Sequence, residues 1–218
     1  MSENFVATPR TAATKQAGRV VYDQEVVFQA FDDSLVSHVA FDYDGYTVAV
    51  PMLHVRIGED LYYHSSRGSR LAAQAAAEPG LQVCINTVVL TGVVFARAAI
   101  KHSVNYVSAV VYGLISLVED EGEKLAAVMA LVDHLSPGRS AQASAPTLGE
   151  LRATTVMRVP LRESSAKRRT GGPLAEPDDP ASEIWRGVVP VGMVAGRGDG
   201  DHGLPSPPVG PFWRQLPN

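Results

Sequence analysis

Residues Asp44–Val55 read DGYTVAVPMLHV, and Leu61–Leu71, after a second turn at Gly58–Asp60, read LYYHSSRGSRL. Asp-Gly closes two-residue hairpins because both central positions of such a turn need positive φ. The Val- and Tyr-rich run after it is therefore predicted to be a strand paired with the one before it. Pro51 lies inside that run and has no N–H to give to a ladder, which requires an edge or a bulge where backbone stays open to a ligand. The next strand, LYYHS, hands over to Gly68–Glu78, an Ala-rich helix ended by Pro79-Gly80.

Working outward, Ser34–Phe41 supplies the first strand, and residues 1–24 form a polar arm expected to be mobile unless a partner surface holds it. Downstream, Leu81–Leu90, Gly92–Ile100 and Asn105–Glu119 read as three more strands. Six closely spaced strands with short helical interruptions predict a closed antiparallel barrel. Leu125, Val128, Met129, Val132 and Leu135 recur at three- and four-residue steps, so Glu121–Ser136 is an amphipathic helix packed on that barrel. A short helix at Thr147–Ala153 and strands at Thr155–Arg162 and Trp185–Val191 follow. Between those strands, residues 164–182 are too polar and too rich in Pro and Gly for regular structure and read as a long functional loop. The expected organisation is an arm over 1–24, one domain over 25–192 and a flexible tail over 193–218, with no internal repeat.

Composition removes several function classes. Apolar residues make up 45% and charged residues 19% of the 218, which suits one folded core. A net charge of -4 gives no broad positive field, so nucleic acid is not an expected partner. Cys84 is the only cysteine, which excludes an internal disulfide and a thiolate-rich metal centre within one chain. The N-terminus lacks the apolar run of about 7–15 residues of a secretory signal. No stretch approaches the roughly 20 apolar residues that span a bilayer. A cytoplasmic location with no membrane partner is the expectation.

Three segments carry candidate chemistry. His64–Arg70, HSSRGSR, puts Ser65, Ser69, Arg70 and free backbone amides at a helix start, which is what a phosphate monoester needs. Capping of the helix by Ser65 or Ser66, with solvated arginines, accounts for the same residues equally well. In Lys101–Gly113, alternation places Tyr106, Ser108, Val110 and Tyr112 on one face, which lines either a pocket or an ordinary barrel rim. The third segment joins Lys167, Arg168 and Arg169 to Trp185-Arg186-Gly187, a basic loop and an aromatic that suit a phosphorylated planar ring, or else a solvated turn. The six histidines show no metal-ligand spacing, and no GxGxxG, P-loop or GxSxG motif is present.

In this order, DGYTVAVPMLHV, LYYHSSRGSRL, HSVNYVSAVVYG, SAKRRTGGP and IWRGVVPV resemble the flavin-binding split-barrel superfamily over Arg19–Val191. The similarity is to the branch of nitroimidazole-resistance proteins and, more distantly, to pyridoxamine 5′-phosphate oxidase. It implies a mainly β fold with flanking helices, a split β-barrel of the pyridoxamine-phosphate-oxidase/FMN-binding type. It also implies that Val50, Pro51 and Met52 offer backbone to the isoalloxazine, with Tyr63 and His64 beside the cofactor and Ser69 and Arg70 on its phosphate. Lys167 and Arg169 approach from the long loop, Trp185 closes the pocket, and two chains pair as a homodimer. The branch reads NYRSV where this chain has Asn105-Tyr106-Val107-Ser108-Ala109, so the arginine is replaced by Val107 and Lys101 is the candidate substitute.

The function implied is a flavin-dependent oxidoreductase that uses FMN on a small organic substrate, with His64 giving or taking a proton. F420 and haem are the alternative cofactors, His64 or His102 being the axial ligand if haem is bound. A non-catalytic cofactor carrier is the third reading.

Overall fold

The computed structural model describes residues 3–13, 17–174, 184–196, 200, 208–209 and 213–215. In chain order the elements are β1 (Val20–Val21), α1 (Gln24–Asp32), β2 (Val36–Tyr43), β3 (Tyr46–Ile57), β4 (Asp60–Ser66) and α2 (Arg70–Ala77). Next come β5 (Leu81–Phe95), β6 (Ser103–Leu117), α3 (Glu121–Leu135), α4 (Leu148–Ala153), β7 (Thr154–Pro160) and β8 (Glu163–Arg169). β9 (Gly187–Pro190), β10 (Met193–Ala195) and β11 (Trp213–Gln215) complete the set, with turns of 3-10 helix at Ala17–Arg19 and Ala99–Lys101.

Local chemistry accounts for the punctuation. Asp44 and Gly45 have φ of 51° and 80°, the pair of positive values a two-residue hairpin between β2 and β3 demands. Ser69 caps α2 by accepting from the Ala72 amide, Asp120 caps α3 through the Glu123 amide, and Thr147 and Glu150 form a reciprocal capping box on α4.

Six strands close on themselves in the order β6–β7–β4–β3–β2–β5 and back to β6, all antiparallel. The barrel is split because its two longest strands each change partner along their length. β6 pairs with β8 over Tyr106–Tyr112 but with β7 only at Ser116–Leu117. β5 pairs with β2 over Val83–Asn86 and with β9 over Gly92–Phe95, beyond a register shift between Leu90 and Gly92. α1 plugs the interior with Val27, Ala30 and Phe31, and α2 adds Leu71, Ala72 and Ala75. α3 lays Ala127 and Leu131 over Tyr62 and Val156 in a second, smaller core.

Three expectations are corrected. The loop expected over 164–182 begins as a strand between β1 and β6, because Ser164 and Ala166 are small enough to face the core while Lys167 and Arg168 are exposed. Its stretch 175–183 lies outside the described residues. The expected free arm is held by this chain's own body: Val20 and Val21 pair with Lys167 and Ala166, the Phe5 amide donates to Tyr22 O at 2.8 Å, and Arg10 bonds Glu163. Leu81–Phe95 is one strand rather than two, the chain running through the bulge at Thr91. In the tail, β10 and β11 pair in parallel. The flexibility expected elsewhere over 193–218 falls mostly outside the described residues.

One buried group makes this fold pH-sensitive. His54 is fully buried, its Nε2–H donates to Phe31 O at 3.0 Å, and its Nδ1 has no hydrogen-bond partner. Burial first, and then the neighbouring His134, hold its pKa down at about 4 from the ordinary 6.5, against the opposing effects of the Phe31 carbonyl and Asp32. The unfolded chain takes up this proton first as pH falls. Stability contributed by neutral His54 is therefore complete above pH 6.5 and is lost as pH falls toward about 4. The expected loss is on the order of 3 kcal/mol. Urea midpoints measured against pH check this, since His54→Leu should flatten the slope; equal slopes in both proteins would remove His54 as its cause.

Candidate functional site

The site begins where two strands part. β3 pairs with β2 over Tyr46–Leu53 but with β4 only over His54–Ile57. β4 pairs with β7 along its whole length, and beyond the His54–Tyr63 pair, where His64, Ser65 and Ser66 lie opposite Val156, Thr155 and Thr154, it no longer pairs with β3. Continued register would have set Leu53, Met52 and Pro51 against His64, Ser65 and Ser66. The edge of β3 on that side carries no partner strand among the described residues, and Pro51 lies within it, as its missing N–H requires.

The turn after β4 closes one end of this opening. The Ser65 hydroxyl donates to Ser69 Oγ at 2.5 Å, the Ala72 amide donates to the same oxygen at 3.2 Å, and the Ser69 amide donates to Ser66 O at 3.0 Å. Ser69 is thus a helix cap. The two readings of this motif are nevertheless compatible, because Ser69 Oγ accepts twice and still has its own O–H to donate outward. The first-turn amides of Arg70 and Leu71 have no acceptor one turn back, and His64, Arg67 and Arg70 are exposed. The local charge is positive, at the positive end of a helix.

Against the same helix lies a cavity of about 140 Å³ between α2, the end of β6 and the start of β7. Arg67, Lys124 and Arg152 reach it against one acid, Glu119, with Thr154 and Thr155 as hydroxyl donors. Arg152 also holds Glu121 at 2.9 Å. Lys124 and Arg152 carried no signal in the sequence, since the contacts that assemble them join segments about thirty residues apart.

A second group of expected site residues sits elsewhere. Pro51, His38, Asn86, Val110 and Ser165 form one row across five strands, and Val88, Ser108 and Lys167 form part of the adjacent row on the same outer face. Four inter-strand spacings separate the ends of such a row, roughly 19 Å. Ser108 and Lys167 therefore do not meet Pro51 and Met52 within one chain. Lys101 lies in the turn before β6, and Trp185 packs on Phe95 at 5.9 Å between ring centroids. The outer face between the two groups carries Val36, Val88 and Leu90, exposed by 44%, 55% and 49%, beside the exposed polar side chains of His38 and Asn86.

Of the residues singled out from sequence, Val50, Pro51, Met52, His64, Ser65, Ser69 and Arg70 gather around the opening. Lys101, Ser108, Lys167 and Trp185 lie across the sheet from it. Two belong to the interior. Tyr63 is fully buried and its hydroxyl bonds Ser37 at 2.9 Å, so it has no surface to set beside a cofactor. Arg169 is 9% exposed, and its guanidinium donates to Asn105 Oδ1 and, at 3.2 Å, to Gly172 O, which ties down the end of β8. Among the described residues no three His, Cys, Asp or Glu side chains group as a metal site, and no helix is long and apolar enough to cross a membrane.

Comparison with known proteins agrees with this fold. The pyridoxamine 5′-phosphate oxidase family profile matches residues 23–168. The flavocytochrome Anf3 from Azotobacter vinelandii is 29% identical, over 96% of this chain and 98% of that one, with a TM-score of 0.81. An FAD and haem binding protein from Mycobacterium smegmatis is 31% identical over 87% of this chain and 94% of that one, with a TM-score of 0.78. A candidate 5-nitroimidazole antibiotic resistance protein from Bacteroides thetaiotaomicron shares the fold at 20% identity, a TM-score of 0.58 and coverage of 68% and 85%. No curated protein sequence matches the chain.

Proposed function

The chain belongs to the pyridoxamine 5′-phosphate oxidase family, and on that premise we propose that it is a flavin-dependent oxidoreductase that works as a homodimer and carries haem as a second redox group. The observation that carries this reading is the near full-length likeness to two solved proteins that bind such groups, one a flavocytochrome and one an FAD and haem binding protein. A bound flavin supplies hydride and single-electron chemistry, and a bound haem supplies single-electron chemistry.

The chain's own residues do the holding. Arg70, the Ser69 hydroxyl and the first-turn amides of α2 take the flavin's phosphate, while the open edge of β3 at Val50–Met52 lies against the ring. His64, exposed at the end of β4, gives or takes a proton where substrate meets the ring. The cavity lined by Arg67, Lys124 and Arg152 offers charge and room beside that phosphate site for a second phosphate, which favours FAD over FMN. F420 also carries a phosphate, but nothing beyond the fold supports it.

Dimerisation explains why the expected pocket residues fall into two groups. The face around Val36, Val88 and Leu90, covered by a second copy, brings one protomer's Ser108, Lys167 and Trp185 toward its partner's β3 edge. Denaturing the purified protein and reading the mass and absorption of what is released tests the cofactor reading. FAD together with haem is the expected result, and release of neither a flavin nor haem overturns it.

A further inference from the structure

Resting on the reading of haem as a second cofactor, we propose that His102 is its axial ligand, binding iron through Nε2 on the aromatic surface at the end of the β5–β6 hairpin. His102 Nδ1 lies 3.1 Å from Ala99 O and 3.3 Å from Ala98 O. A carbonyl only accepts, so Nδ1 carries the proton and the Nε2 lone pair is left free. A histidine held in this way has its tautomer and ring plane fixed, the arrangement metal-binding imidazoles use.

The surroundings suit a flat apolar macrocycle. The His102 ring meets Phe95 edge-on at 5.8 Å, and Phe95 in turn packs on Trp185. Ile100, two residues before His102, is 89% exposed and Trp185 is 59% exposed, an apolar surface that water covers poorly. Arg97, whose buried Nε has no hydrogen-bond partner, and Lys101 flank the same turn and supply cations for the two carboxylates of a haem.

The other described histidines fit less well. His54 is buried, and His134 has its Nε2 committed to Ser34 O at 2.9 Å. His38 and His64 are exposed, but no hydrogen bond among the described residues fixes either ring. His202 lies outside the described residues.

The test uses the full chain, stripped and titrated with haem, and reads the Soret band, haem per protomer and the reduction potential. His102→Ala is expected to weaken haem binding by more than the roughly 10–100-fold that loss of an outer partner of a metal ligand costs. Far-ultraviolet circular dichroism and flavin content should stay at parental levels, because the side chain is exposed. His102→Gly should regain its Soret band when imidazole is added, a rescue that a merely structural residue would not give. His38→Ala and His64→Ala should bind as the parent does. An unchanged Soret band and affinity in His102→Ala, with loss in either of the other two, overturns this assignment and leaves the haem reading standing. A parent chain that takes up no haem overturns both.

Discussion

Arg70→Glu is expected to weaken flavin binding by about 100-fold or more, because it removes a guanidinium and sets a carboxylate at the helix end proposed to hold the phosphate. Arg70 stands in the first position of α2, next to a Ser69 hydroxyl that is free to donate, so the substitution reverses the sign of charge at the centre of the proposed anion site. The helix itself should survive, since glutamate is favoured in a first turn. Titrating the stripped protein with FAD and with FMN, followed by quenching of flavin fluorescence, measures the effect. Arg139→Glu, in the exposed turn after α3, is the control and should bind as the parent does. Equal affinity in both variants would remove the α2 turn from the cofactor site.

The second large effect is expected at the outer face. Val36→Asp combined with Val88→Asp should leave the chain monomeric, because the proposed two-fold pairing would place four new carboxylates among the apolar side chains of this face. Each costs on the order of 1–3 kcal/mol to bury without a partner, so the dimer's Kd should rise by roughly a thousandfold or more. Both valines are already solvent-exposed in the single chain, at 44% and 55%, and the protomer's own stability should change little. Sedimentation reads the mass, and flavin content read on the same samples asks whether the pocket needs both chains. Leu148→Asp, an exposed apolar residue at the start of α4, controls for a general loss of surface hydrophobicity. A parent that sediments as a monomer, or a double variant that remains a dimer, rules out this face as the interface. A monomeric variant that keeps its flavin would show that one chain completes the pocket.

Much of the first half of the chain was legible residue by residue. Asp44-Gly45, Pro51 and Pro79-Gly80 each act through the backbone of their immediate neighbours, and each marks the boundary or edge it was expected to mark, whereas the cap expected at Ser65 or Ser66 falls on Ser69. β8 was hidden because its inward residues, Ser164 and Ala166, are small and stand among polar and charged neighbours, so the segment looks like a loop. The placement of β4 was ambiguous for a related reason. Leu61, Tyr62 and Tyr63 are all buried, since the barrel interior covers one face of the strand and α3 covers the other, so alternation could not say that Tyr63 faces the core.

The sequence by itself determined the hairpin turn at Asp44-Gly45, the open edge at Pro51, the stop at Pro79-Gly80 and the barrel class, the first three through interactions within a few residues. Tertiary structure alone decided where β3 and β4 separate, that Arg169 is consumed by Asn105, that Lys124 and Arg152 join Arg67, and that Ser108 and Lys167 lie across the sheet from Pro51. The physical reason is that strand pairing is a contest among distant segments for the same backbone groups, and its outcome is fixed only when the whole barrel closes.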